Sequence, residues 1–171
     1  LYAAKGVSPI VRVPAPVTYE VTMALDGGAQ GIAVPYVETV EQVQEMVGAV
    51  KYRPIKGKQL NDLLDGKEKV SEKRASFLDD FNGNNYLIIG IESVEAYENL
   101  DALISVPGVD GVFVGPHDVT CSMDIPLEWN NPAFVKVIND IIVRCRAANI
   151  GVGVHLSQII TTDEQFIEMM K

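Results

Sequence analysis

Apolar and polar positions along this chain follow two alternating periods. Short apolar runs rich in β-branched residues stand at 9–13, 30–34, 87–91, 111–114 and 150–154, and the segments between them carry apolar residues every three or four positions. The first pattern belongs to strands buried on both faces, the second to amphipathic helices. Over 38–50, Val40, Val43, Met46, Val47 and Val50 form one face while Glu41, Gln42, Gln44 and Glu45 occupy the others, which predicts a helix. The same spacing predicts helices over 16–25, 70–81, 93–105 and 132–148. The last has Pro132 in its first turn and an apolar stripe of Phe134, Val137, Ile138, Ile141, Ile142 and Cys145. Asp26-Gly27-Gly28 and Pro107-Gly108 punctuate the pattern as turns. The lysine-rich stretch 52–69, interrupted by Pro54, Gly57 and Gly66, predicts a long loop with at most a short helical piece at 59–64. The segment after 114 reads as irregular through Trp129. Thr162 followed by Gln165 makes a capping-box pattern, which predicts a final helix over 162–171.

Strand and helix thus alternate through five strands, the signature of right-handed βαβ units around a parallel sheet. The alternation fits an open doubly wound sheet and a piece of an eight-stranded barrel equally well. Neither G-x-G-x-x-G nor G-x-x-x-x-G-K-[ST] occurs, so the usual nucleotide signatures are missing. With 171 residues, 47% of them hydrophobic, the chain is expected to form one domain over 1–171. It begins at Leu1 and ends at Met169-Met170-Lys171 inside a helical pattern, so both ends are expected to continue in a longer protein.

A formal charge of −9 with scattered Lys and Arg argues against nucleic acid or an anionic membrane as the main partner. No apolar run approaches the roughly 20 residues that span a bilayer, and no signal-peptide pattern opens the chain, so a cytoplasmic location is expected. Cys121 and Cys145 form no metal or disulfide spacing and are expected to be buried or partly buried thiols.

The chemistry is concentrated where strands end. Glu92 follows the run 87–91, and Asp118 follows 112–114 after Gly115-Pro116 has broken the strand. In a parallel sheet these strands can be neighbours, about 4.8 Å apart, with both acids at one mouth. Mg²⁺ and Mn²⁺ are commonly held by one or two carboxylates, with water and substrate oxygens completing the shell, so two acids suffice. The competing reading of each acid is a helix cap. Arg12 ends the first strand, where it serves either an ion pair or an oxyanion gripped through two N–H donors. His117 adjoins Asp118 and His155 ends the fifth strand. Each is a candidate for proton transfer or an ordinary hydrogen-bonding histidine.

Taken in order, PIVRVP (9–14), LDGGAQGIAVPYVETVEQ (25–42), IIGIES (88–93) and VPGVDGVFVGPHDVTCSMDIP (106–126) resemble the HpcH/HpaI aldolase family, metal-dependent pyruvate aldolases of the phosphoenolpyruvate/pyruvate barrel superfamily. The resemblance covers nearly the whole chain. It implies a partial (β/α)₈ barrel of about five units, a central portion of such an aldolase. It also implies Glu92 and Asp118 as ligands of Mg²⁺ or Mn²⁺, with Arg12 on the substrate and main-chain groups around Gly115, Pro116, His117 and Asp118 helping to hold the substrate carboxylate. The implied reaction is cleavage of a 4-hydroxy-2-oxo acid to pyruvate and an aldehyde by way of a metal-bound enolate, in a parent protein that is a homo-oligomer. Three departures accompany the resemblance. The family's acid/base His lies on a strand upstream of the one bearing Arg12, the family's frequent Gln is Gly90 here, and its Gly-x-Arg-Gly turn is Lys56-Gly57-Lys58-Gln59. A non-catalytic binder of metal and oxo acid, an inactive fragment, and an acyl-CoA lyase of the same superfamily are the alternative readings.

Overall fold

The computed structural model describes residues 2–155, and the predicted helix over 162–171 lies outside the described residues. Five parallel strands form one sheet: β1 (Ile10–Arg12), β2 (Gly31–Val34), β3 (Tyr86–Ile91), β4 (Gly111–Val114) and β5 (Gly151–Val154). Their order in space is their order in sequence, β1-β2-β3-β4-β5. A doubly wound sheet reverses its order at a switch point, whereas sequential winding is how a (β/α)₈ barrel is built. The sequential order removes the doubly wound alternative.

The intervening helices are α1 (Thr18–Asp26), α2 (Val40–Lys51), α3 (Gly57–Leu64), α4 (Glu72–Asn82), α5 (Val94–Glu98), α6 (Leu100–Ile104), α7 (Pro116–Ser122) and α8 (Pro132–Ala147). Three expectations need correction. Residues 52–69 are not one long loop, because α3 forms there. Gly48 of α2 has no side chain, and a methyl at that position would lie 2.9 Å from Leu60, so α3 can press its apolar edge onto α2. The helix expected over 93–105 is two short ones, separated at Asn99, whose amide donates to the carbonyl of Glu38. The irregular stretch after β4 opens with α7, which has Pro116 at its first position. The thiols also divide against expectation: Cys121 on that helix is exposed and not buried or partly buried, whereas Cys145 is buried as expected and burial pushes its thiol up to about 11.

Strand residues facing the helices supply the core. Ile32, Val34, Leu87, Ile89, Ile91, Val112 and Val114 are almost fully buried against Val43, Met46, Val47 and Val50 of α2, Leu100 and Leu103 of α6, and Ile141 of α8. Each such side chain contributes about 1.5–3 kcal/mol. The opposite, inner face is of a different kind. Register pairs Ile10 with Gly31, Gly90 with Phe113, and Gly111 with both Ile88 and Gly151. Large residues lean over glycines on the adjacent strand, so a methyl at Gly31 would lie 2.9 Å from Ile10 and one at Gly90 would lie 2.6 Å from the Phe113 ring. Among the described residues no helix is long and apolar enough to cross a membrane.

α2 is started by a reciprocal cap. Thr39 Oγ1 accepts from the Gln42 N–H at 3.3 Å, while Gln42 Oε1 accepts from the Thr39 and Glu38 N–H groups at 3.1 and 2.8 Å. Thr39→Ala is expected to cost about 1 kcal/mol in urea denaturation. An unchanged midpoint would mean that α2 is held by packing alone.

Candidate functional site

Three loops meet at the carboxyl edge of the sheet. Gly90 and Phe113 are paired inner positions, so two residues further along each strand Glu92 and Gly115 project toward the same side. Glu92 is only 5% exposed, a rare position for a carboxylate. Its Oε2 accepts a 3.0 Å hydrogen bond from the backbone N–H of Tyr36. Tyr36 has φ 58°, a left-handed conformation that costs a residue with a Cβ about 1–2 kcal/mol, and it lies in the loop after β2. The two residues after Glu92 are each tied to a different neighbouring segment. Ser93 Oγ donates to Glu38 Oε1 at 2.6 Å, and the Val94 N–H donates to Ser122 Oγ of α7 at 2.9 Å.

The other oxygen of Glu92, Oε1, lies 4.0 Å from Nη2 of Arg12, too far for a hydrogen bond. The Arg12 side chain is 45% exposed, and among the described residues it donates no side-chain hydrogen bond, so its donors remain available to a ligand. Gly115 brings the carboxylates together. A methyl there would lie 2.8 Å from Glu92 Oε1 and 3.2 Å from Asp118 Oδ2, so both oxygens converge on space that any side chain at 115 would fill. Asp118 stands in the first turn of α7, where the helix dipole favours an acid. The turn is fixed from beneath by Thr120, fully buried, whose hydroxyl donates to the carbonyls of Pro116 and His117 and accepts from the Leu127 N–H.

Burial pushes the carboxyl of Glu92 above its ordinary range. The Tyr36 N–H opposes that shift, the facing Asp118 adds to it, and the charges of Arg12 and His155 pull it back. Two carboxylates aimed at one point, the deeper one out of water, form a pair that a cation stabilises. Oxygen ligands in this number suit Mg²⁺ or Mn²⁺ with open positions for water and substrate, and so the donor set fits such an ion. Among the described residues no group of three or more His, Cys, Asp or Glu comes together.

The two histidines go different ways. The ring of His117 lies edge-on to Trp129 at 5.0 Å, and Trp129 packs edge-on against Phe134 of α8, so His117 is drawn toward the helices. His155 follows β5 and is exposed, with its N–H donating to the Val114 carbonyl at 2.9 Å. Tyr36 and Ser122 escaped notice in the sequence. Tyr36 acts through its backbone and Ser122 through a contact between distant loops, and neither leaves a mark in residue type or spacing.

The HpcH/HpaI aldolase/citrate lyase family model matches residues 1–169. The chain belongs to this family. Among HpcH/HpaI relatives, it is 36% identical over 135 residues to a 2-keto-3-deoxy-L-rhamnonate aldolase of Klebsiella pneumoniae, an alignment covering 78% of this chain and 49% of that protein. It is 34% identical over 160 residues to a hydroxypyruvate/pyruvate aldolase of Roseobacter denitrificans, covering 94% of this chain and 60% of the relative. The crystal structure of an HpcH/HpaI aldolase from Desulfitobacterium hafniense superposes with a TM-score of 0.76 at 25% identity, covering 98% of this chain and 64% of that one. The chain therefore spans about half to two thirds of the length of these HpcH/HpaI proteins.

The raised position of Glu92 has a consequence for stability. A carboxyl whose folded pKa exceeds its unfolded one contributes stability below the unfolded value, and this is lost as pH rises through the folded value. Glu92→Gln keeps the shape and removes the charge. In a chelator at pH 8 the variant is expected to melt above the wild type, and the difference should shrink as acid protonates Glu92. Equal melting temperatures at pH 8 would contradict the buried-charge description.

Proposed function

We propose that this chain carries the cation- and oxo-acid-binding part of an aldolase site that cleaves 4-hydroxy-2-oxo acids to pyruvate and an aldehyde. The observation that carries this reading is the buried Glu92 converging with Asp118 on the space beside Gly115, with Arg12 at its edge. The names of the HpcH/HpaI relatives, a 2-keto acid aldolase and a hydroxypyruvate/pyruvate aldolase, support the same chemistry.

Glu92 and Asp118 would hold a divalent ion of the Mg²⁺ or Mn²⁺ class. When bound, such an ion supplies a Lewis acid for the 2-oxo group of the substrate. Tyr36 fixes Oε2 of Glu92 through its N–H and leaves Oε1 turned toward Asp118 and Arg12. The guanidinium of Arg12 binds the substrate carboxylate through two N–H donors, and its permanent charge opposes the negative charge that develops when the carbon–carbon bond breaks. Pro116 has no N–H and the Val119 N–H donates to the Gly115 carbonyl, so the backbone N–H groups of His117 and Asp118 are the ones that would add donors for the same carboxylate.

Calorimetry tests both halves of the site. The chain should bind Mn²⁺, with at least a tenfold loss in Glu92→Gln, the scale expected when a charged contact is removed. Equal affinity in that variant would reject the cation site. Pyruvate binding should require the metal and weaken about 10- to 100-fold in Arg12→Ala. Unchanged pyruvate affinity there would remove Arg12 from the substrate, and pyruvate binding without cleavage of any 4-hydroxy-2-oxo acid would favour a non-catalytic oxo-acid binder.

A further inference from the structure

Glu92 gives one carboxylate oxygen to the Tyr36 N–H and turns the other toward Asp118, and that division depends on how the loop after β2 sits against residue 92. Tyr36 does not secure the loop by itself. Its φ of 58° is the costlier backbone state for a residue with a Cβ, and Tyr36 is half-exposed, so another contact has to hold the chain in that shape. Glu38 stands two residues further along the same loop.

Three polar groups of Glu38 are engaged by three different segments. Its N–H donates to Gln42 Oε1 of α2 at 2.8 Å, its carbonyl accepts from the Asn99 side-chain amide at 3.0 Å, and its Oε1 accepts from Ser93 Oγ at 2.6 Å. The first bond anchors Glu38 to the cap of α2, and the second to the break between α5 and α6. The third reaches the residue next to Glu92. Ser93 Oγ also accepts from the Ala96 N–H at 3.1 Å as the N-cap of α5, so its single proton is free to point at Glu38. An O–H···O⁻ bond of this length is charge-assisted, roughly twice as strong as a neutral one.

Two rungs therefore join the loops after β2 and β3, one from Tyr36 to Glu92 and one from Ser93 to Glu38. Breaking the second lets the strained turn at Tyr36 relax and the Glu92 carboxylate rotate. The charges that move the Glu92 carboxyl are those of Asp118, Arg12 and His155, so Glu38 acts through its hydrogen bonds.

We propose that Glu38 is a positioning residue: through Ser93 and the loop of Tyr36 it holds Glu92 with Oε2 on the backbone and Oε1 turned toward Asp118. The inference rests on the proposed cation site and adds to it a residue that does not touch the ion.

Hydrogen exchange of the Tyr36 amide, in the metal-free chain with chelator, reads the first rung. Glu38→Ala is expected to speed this exchange about tenfold while the amides of β3 and β4 keep their protection, which a general loss of stability would not allow. Glu38→Gln keeps an oxygen for Ser93 and should stay within about threefold of the wild type. Mn²⁺ calorimetry reads the ligand itself. Affinity should fall about tenfold in Glu38→Ala, the lower range for residues that orient a metal ligand, and Glu38→Gln should restore most of it. Ser93→Ala cuts the same rung from the other side and carries the test if Glu38→Ala does not fold. The double variant should be weaker than either single one by no more than about threefold, because both remove one interaction. Wild-type affinity in Glu38→Ala and Ser93→Ala, with Glu92→Gln still weakening Mn²⁺, overturns the positioning role and leaves the cation site standing. Equal losses in Glu38→Gln and Glu38→Ala overturn it as well, since charge would then be the cause. A wild type that binds no Mn²⁺ overturns the cation site, and this role with it.

Discussion

A carboxylate that is almost completely buried and faces a second carboxylate is an unfavourable arrangement in the absence of a positive charge. Glu92 is held that way by one backbone N–H and a distant guanidinium, neither of which neutralises it fully. The surrounding structure maintains the arrangement. β3 and β4 set the two loops side by side, the left-handed turn at Tyr36 supplies the N–H, and Ser93 and Ser122 tie the loop of Glu92 to its neighbours. Strain and buried charge of this kind persist only where the rest of the fold over-determines them, and they cluster at sites that bind ligands.

The inner face makes this possible through what it lacks. Glycines at 31, 90, 111 and 115 let Ile10, Phe113, Ile88 and Glu92 reach over the adjacent strand. At Gly90 the Phe113 ring fills the space that a side chain would take and forms an apolar floor two register pairs below Glu92 and Gly115. Outside, the opposite rule applies, and β-branched residues on the same strands fill the space beneath the helices. One sheet therefore combines a tightly filled outer core with an inner face punctuated by glycines.

Much of the fold was legible because strand and helix periods differ. Five apolar runs became the five strands, and 111–114 coincides with β4. Closure was not legible, since periodicity reports each element and carries no information on strand order. α3 and α7 were hidden for local reasons. α3 lies in a lysine- and glycine-containing stretch and depends on Gly48 for its packing, and α7 follows a Gly-Pro break that reads as a turn. At the site, Glu92, Asp118 and Arg12 stand out because acids and arginine are unusual at the ends of apolar strands. The contribution of Tyr36 is a backbone group, and that of Gly115 is an empty volume. Neither leaves a signature in residue type, and both emerge only from the three-dimensional arrangement.

The central claim is that Glu92 Oε1 and Asp118 Oδ2 converge on a cation. Diffraction from Mn²⁺-soaked crystals, with anomalous differences collected at the manganese edge, examines it directly. A strong peak is expected beside Gly115, within about 2.3 Å of an oxygen from each carboxylate. A crystal saturated with Mn²⁺ that shows no peak there, or shows its peaks only at other carboxylates, would contradict it.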